Sequence, residues 1–154
     1  MNFVNFGIDL GTTNSLIARF EAGAVQVFKN PVGHKETLPS VVAFRGDRMI
    51  IGDKAKEYIS KDPGNVFSAF KRKMGTNENF LVPSTASMIS PIDLSAMVLK
   101  ELKNFVHTGE AVEAAVITIP ASFDTIQSNA TKKSRRVVYF QDFFLQYASC
   151  LSCR

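Results

Sequence analysis

Asp9, Gly11, Thr12, Thr13 and Asn14 fall within six consecutive residues and bring together a carboxylate, two hydroxyls, a side-chain amide and a glycine-containing turn. That set suits phosphate oxygens with a metal ion close by. Hydroxyls and unpaired backbone N–H groups bind the oxygens, and a hard divalent ion takes a carboxylate plus water. Strand alternation places the carboxylate. In Phe6-Gly7-Ile8-Asp9-Leu10 the large apolar residues share one face, so Asp9 lies beside Gly7 on the other. Gly11 is expected at positive φ, where the chain turns. An ordinary hairpin turn capped by Asp9 accounts for the same residues, because short motifs match by chance. Two other phosphate motifs are excluded: no Gly-Lys-Ser/Thr follows, as a Walker loop needs, and the glycine spacing of the dinucleotide fingerprint is missing.

The flanking elements must hold this turn. Ser15 to Phe20 and Val25 to Phe28 read as strands joined by Glu21-Ala22-Gly23-Ala24, completing an antiparallel meander. Leu38 to Phe44 reads as one strand, which Gly46-Asp47 turns into Met49-Ile50-Ile51. Asp53 is expected to cap a short helix carrying Ala55, Tyr58 and Ile59. After the breaker Asp62-Pro63-Gly64-Asn65, the spacing of Phe67, Phe70 and Met74 predicts a helix over 66–74, ended by Gly75. Residues 76–90, small and polar, are expected to form a loop. Ser90-Pro91-Ile92-Asp93 starts a helix whose buried stripe is Leu94, Val98, Leu102, Phe105 and Val106, with Gly109 as its stop. Ala114 to Ile119 is a continuous apolar run, as a strand buried on both faces requires, and Pro120 stops it. Asp124-Thr125-Ile126-Gln127 opens a last helix with a second capping box. A meander followed by helix, buried strand and helix gives an α/β domain with a mixed sheet.

Composition narrows the class. A chain of 154 residues, 45% of them hydrophobic, fits one domain with a sizeable core. No run nears the roughly 18 apolar residues of a membrane helix, and Met1-Asn2-Phe3 opens into a strand without a basic leader. A cytoplasmic location without a membrane partner is therefore expected. Of the net charge of +4, residues 135–154 contribute three arginines against one aspartate, leaving +2 for the rest and no case for a nucleic-acid partner. Both cysteines, Cys150 and Cys153, lie in the last five residues, which excludes a disulfide-built fold. His34 and His107 are too remote in sequence to complete a zinc site with them.

Four separated stretches carry more. Gly7-Ile8-Asp9-Leu10-Gly11-Thr12-Thr13-Asn14-Ser15, Leu38-Pro39-Ser40-Val41-Val42, Phe70-Lys71-Arg72-Lys73-Met74-Gly75 and Val116-Ile117-Thr118-Ile119-Pro120-Ala121-Ser122-Phe123 occur in that order. Together they resemble the DnaK-type heat-shock 70 kDa chaperone family, in the N-terminal part of its nucleotide-binding domain. The resemblance covers residues 1–134 and implies an actin-like ATPase (ribonuclease H-like) fold, a mixed sheet of which this chain holds lobe I only. It implies ATP or ADP with Mg²⁺ as cofactors. Asp9 would face the Mg²⁺ through water, and the turn from Gly11 through Thr12, Thr13 and Asn14 would line the phosphates. Lys71 would join Asp9 as a catalytic residue, pointing at the terminal phosphate and the attacking water. Pro120 would couple nucleotide state to a substrate-binding domain. Read from the residues alone, Lys71 belongs to a solvated basic run and Pro120 merely ends a strand. Nucleotide is the implied direct partner; unfolded client peptides and co-chaperones are implied for the full-length parent only.

The departures matter too. Ser128 stands where the family commonly has an arginine in the coupling relay, and residues 76–90 are shorter than the family's segment. After Lys133 the similarity stops, without the family's Glu-Pro-Thr-Ala motif, second phosphate loop or adenosine pocket. Weak binding and negligible turnover are therefore expected of this chain by itself. Residues 135–154 hold five of the 16 aromatic residues, both cysteines and no glycine. They read as a non-homologous tail, from a frame shift near codon 134 or a truncated gene, that packs over exposed sheet or promotes association. Two other functions compete: a non-enzymatic scaffold that dimerises through this tail, and an actin-like sugar kinase or filament protein, which lacks the Lys71 and Pro120 contexts.

Overall fold

The computed structural model describes residues 5–109, 111–120, 123–138 and 142–148, with Pro120 and residues 135–138 and 142–148 described in backbone only. Strands β1 (Phe6–Leu10), β2 (Asn14–Glu21) and β3 (Ala24–Val27) form the antiparallel meander, and β4 (Leu38–Pro39) adds to β2. A second sheet of order β6-β5-β7 follows, from β5 (Val41–Arg45), β6 (Arg48–Ile51) and β7 (Val66–Ser68), with α1 (Asp53–Glu57) between the last two in sequence. Next come a hairpin of β8 (Phe80–Val82) and β9 (Ser87–Ile89), then α2 (Pro91–Lys103). The chain re-enters the first sheet as β10 (Ala114–Pro120), passes through α3 (Thr125–Val138) and ends in β11 (Asp142–Ala148). The first sheet runs β11-β10-β1-β2-β3, with β10 parallel to both β1 and β11.

The core sits between this sheet and α2. Phe6, Ile8 and Leu10 of β1, Ile17 of β2 and Ala115 and Ile117 of β10 pack with Leu94, Val98, Leu99 and Leu102. Alternation on β1 and the helical stripe on α2 thus meet as the sequence predicts. Both predicted capping boxes form. The Asp93 N–H donates to Ser90 Oγ at 3.1 Å and the Ser90 N–H to Asp93 Oδ2 at 3.2 Å. At α3 the Gln127 N–H donates to Asp124 Oδ1 at 2.7 Å and the Asp124 N–H to Gln127 Oε1 at 3.0 Å. Each pair satisfies N–H groups that a helix start leaves unpaired.

Several expectations are corrected. The predicted helix over 66–74 is instead β7 followed by a 3₁₀ turn, Phe70–Lys73, because Ala69 enters the left-handed region at φ 53° and breaks the periodicity. Phe67, Phe70 and Met74 are all buried, but from two different conformations. The expected loop over 76–90 contains the β8–β9 hairpin, held on by Phe80 against Phe67 and by Asn65, whose side-chain oxygen accepts the Ser84 N–H at 2.9 Å. The strand predicted over Leu38–Phe44 divides at Ser40, where the chain leaves the first sheet for the second. Gly52, at φ 79°, caps α1 and Asp53 is its first residue. Helix α2 stops at Lys103, well before Gly109. The segment from residue 135 continues α3 to Val138 and adds β11 to the sheet edge by backbone pairing.

Candidate functional site

The β1–β2 connection is a tight bend over Gly11–Thr13. Gly11 is not at positive φ, contrary to expectation. Its requirement is space: a Cβ there would overlap the carbonyl oxygen of Asn14. Thr13 and Asn14 are exposed on the turn. Asp9 is exposed on the face opposite the core, and parallel pairing sets it beside Thr118 of β10, whose hydroxyl donates to Asp9 Oδ1 at 2.7 Å. Because Gly7 pairs with Ala18 across the strands, little side-chain bulk covers this face. A cavity of about 380 Å³ lies there, lined by Gly7, Asp9, Leu16, Ala18, Val116 and Thr118 among others.

Lys71 approaches the same carboxylate from the 3₁₀ turn. It is only 3% exposed, whereas Arg72 and Lys73 on the same turn face solvent. Burial lowers its pKa from 10.5 to about 8, against the opposing pull of the Asp9 carboxylate. Its Nζ lies 5.4 Å from the centroid of the Phe123 ring, within cation–π range. Close packing keeps the turn in place: a Cβ on Gly75 would sit 3.0 Å from the Gln127 nitrogen at the start of α3. A buried ammonium beside an exposed carboxylate is an arrangement found where charge is handled, since such groups otherwise lower stability.

The structure therefore brings Asp9, the Gly11–Asn14 turn and Lys71 to one region. Pro120 stands at the end of β10, two residues beyond Thr118. Ser128 is buried on α3 with its hydroxyl returned to the Asp124 carbonyl at 2.8 Å. Three contributors escaped the sequence reading as site residues. Thr118 had a signal, a hydroxyl inside an apolar strand; Ser40 had one as well, a hydroxyl within a buried strand; Phe123 had none. His34 and His107 line a separate cavity of about 590 Å³ that shares no lining residue with this region. Cys150 and Cys153 lie outside the described residues.

The donor set fits a hard divalent ion. A single exposed carboxylate, held at one oxygen by Thr118, suits an ion that keeps most of its waters. Among the described residues no group of three or more His, Cys, Asp and Glu could enclose a metal in an all-protein cage. No helix among them is long and apolar enough to cross a membrane.

The family model for "Hsp70 protein" matches residues 5–83 and 77–140. The chain is 42% identical over 133 residues to the "Chaperone protein DnaK" of Mycoplasmopsis synoviae (strain 53), covering 85% of this chain and 22% of that protein. The protein of the same name from Mycoplasmopsis agalactiae is 43% identical over 136 residues, covering 87% and 22% respectively. That of Ureaplasma parvum serovar 3 is 44% identical over 130 residues, covering 83% and 21%. The chain thus spans about a fifth of the length of the curated relatives it matches. Its mixed sheet is one lobe of the actin-like ATPase fold that the family shares, and the chain belongs to the Hsp70 family, as the N-terminal part of a DnaK-type chaperone.

Proposed function

We propose that this lobe supplies one wall of a site for ATP or ADP with Mg²⁺. The observation that carries the reading is the convergence of the buried Lys71 ammonium and the Asp9 carboxylate beside an open Gly-Thr-Thr turn. Thr12, Thr13 and Asn14 bind phosphate oxygens through hydroxyl, amide and backbone N–H groups. Asp9 orients waters of the ion's shell, with Thr118 fixing its carboxylate. Mg²⁺, when bound, neutralises charge on the phosphates. Lys71, kept dry and held over Phe123, places positive charge where the terminal phosphoryl group gains negative charge and orients the attacking water.

The work on client peptides and co-chaperones we assign to the length of the relatives that this chain does not span, together with a cytoplasmic location. Pro120 serves in that larger protein as the coupling point between nucleotide and substrate domains. Ser128, its hydroxyl spent on its own helix, has no charge to contribute to the relay. For the 154-residue chain alone we expect weak nucleotide binding and negligible turnover. Calorimetric titration with Mg-ATP tests this directly. Submicromolar affinity, or an ATPase that depends on Lys71, would overturn the expectation of weakness; no binding at millimolar nucleotide would overturn the site itself.

A further inference from the structure

We propose that Ser40 is a positioning residue of the phosphate turn, acting with Ser15 as a latch that aims the turn's N–H groups outward; this rests on the phosphate reading above. Ser40 occupies the junction at which the chain passes from β4 to β5, and both serines are buried, at 2% and 1% exposure. The Ser40 hydroxyl donates to the Gly11 carbonyl at 2.9 Å, and its backbone N–H donates to the Thr13 carbonyl at 2.8 Å. The two serine oxygens are 2.9 Å apart. Since the Ser40 proton is committed to Gly11, Ser15 is the donor in that pair. One directed chain therefore runs from Ser15 through Ser40 to Gly11.

The consequence follows from peptide geometry. In a trans peptide the C=O and the next residue's N–H point in opposite directions. Drawing the Gly11 carbonyl inward to Ser40 turns the N–H group of Thr12 away from it, and the Thr13 carbonyl is fixed by the Ser40 N–H in the same way. Neither Thr12 nor Thr13 donates its N–H to another backbone group among the described residues. A donor array fixed in this way before ligand arrives needs no reordering on binding. The missing Cβ at Gly11 allows the tight closure, and the latch sets its direction.

The test uses the full 154-residue chain as wild type, Ser40→Ala, Ser15→Ala, Ser40→Thr and a core control, Val98→Ala. Two readings are taken by NMR: the backbone carbonyl ¹³C resonances of Gly11 and Thr13 without nucleotide, and the Mg-ADP affinity from amide shifts. Ser40→Ala is expected to move the Gly11 carbonyl resonance, leave that of Thr13 nearly in place, and weaken Mg-ADP about fivefold, the scale of one hydrogen bond. Ser15→Ala weakens it by about half as much on a logarithmic scale, and Ser40→Thr, which keeps the hydroxyl, restores it to within about twofold. Val98→Ala lowers stability without either effect. An unmoved Gly11 carbonyl in Ser40→Ala, or an affinity equal to that of Val98→Ala, overturns the latch. A wild-type chain that does not bind Mg-ADP overturns the phosphate reading instead, and the Gly11 resonance still decides whether Ser40 sets the turn. If Ser40→Ala does not fold, Ser15→Ala, which removes the donor to Ser40, takes its place: the half-sized loss of affinity supports the latch, and an affinity equal to that of Val98→Ala overturns it.

Discussion

Replacing Lys71 with methionine is expected to make the protein more stable at neutral pH. Methionine keeps the length of the side chain and its contact with the buried surroundings but carries no charge. The magnitude follows from the ammonium's pKa. A fall from 10.5 to about 8 corresponds, at about 1.4 kcal/mol per pH unit, to about 3 kcal/mol against the folded state. The attraction of Asp9 is already contained in that figure, since it opposes the larger effect of burial. A gain of about 3 kcal/mol for Lys71→Met at pH 7 is the result.

The pH dependence separates this cause from ordinary repacking. Below about pH 8 the lysine is charged in both folded and unfolded chains, so the full penalty is present. Between about 8 and 10.5 the unfolded chain holds a proton that the folded one has lost, so wild-type stability gains on the variant as pH rises. Above 10.5 both forms are neutral and the advantage of methionine is gone. Urea unfolding of both proteins across pH 6.5 to 10.5 measures the difference, in which other titrating groups cancel. A destabilised variant at pH 7, or a difference that stays flat across the range, would refute the claim that burial of the charge dominates.

Further outcomes follow from the same site and sheet. Asp9→Asn should lower the Lys71 pKa below its present value of about 8, because the carboxylate is what holds it up; titration of the Lys71 ammonium by ¹⁵N NMR reads the change. Its Mg-nucleotide affinity should fall as well, by at least tenfold by analogy with loss of a charged hydrogen-bond partner. Gly11→Ala should destabilise by about 1–3 kcal/mol in urea, since the added methyl meets the Asn14 carbonyl rather than a movable side chain. A chain ending at Val138 loses β11 and bares the β10 edge over Ala114–Pro120; concentration-dependent association by light scattering is expected, and a monomer as stable as the full chain would refute it.

What could be read beforehand divides along local and non-local causes. The meander, α2 and the start of α3 were legible because alternation, helical spacing and capping residues act within a few positions, as at Ser90 with Asp93 and Asp124 with Gln127. The helix expected over 66–74 failed because its apolar spacing came from two unlike pieces pressed onto one core. Val66–Ser68 took its strand conformation from pairing with Val41–Ala43, a partner more than twenty residues away. At the site, the stretch from Asp9 to Asn14 was visible as chemistry, but its reason for glycine was misjudged. Closeness of Gly11 to Asn14, not a left-handed backbone, is what the turn requires. Thr118 and Ser40 could not be linked to the turn by spacing, since register and a change of sheet bring them there.

Lys71 shows how a local conformation can decide a functional property. In the sequence it is one of three adjacent basic residues, and on an α-helix such a run spreads over roughly 200° of one side, the usual solvated face. The 3₁₀ turn rotates each successive side chain by about 120°, so three consecutive residues divide the whole circumference. One of them must then face inward. Ala69, in the left-handed region, opens the turn, and of the three basic residues Lys71 is the buried one, while Arg72 and Lys73 emerge, Lys73 to pair with Glu78 at 2.9 Å. Replacing the turn by the helix first expected would return Lys71 to solvent and its pKa toward 10.5. The strain at Ala69 is therefore tied to the chemistry, and Ala69→Gly, which adopts φ 53° without cost, tests that link. Its expected effect is a stable fold with Lys71 still titrating near 8; a lysine released toward its ordinary value would mean that the alanine methyl, and not the backbone turn, directs the side chain inward.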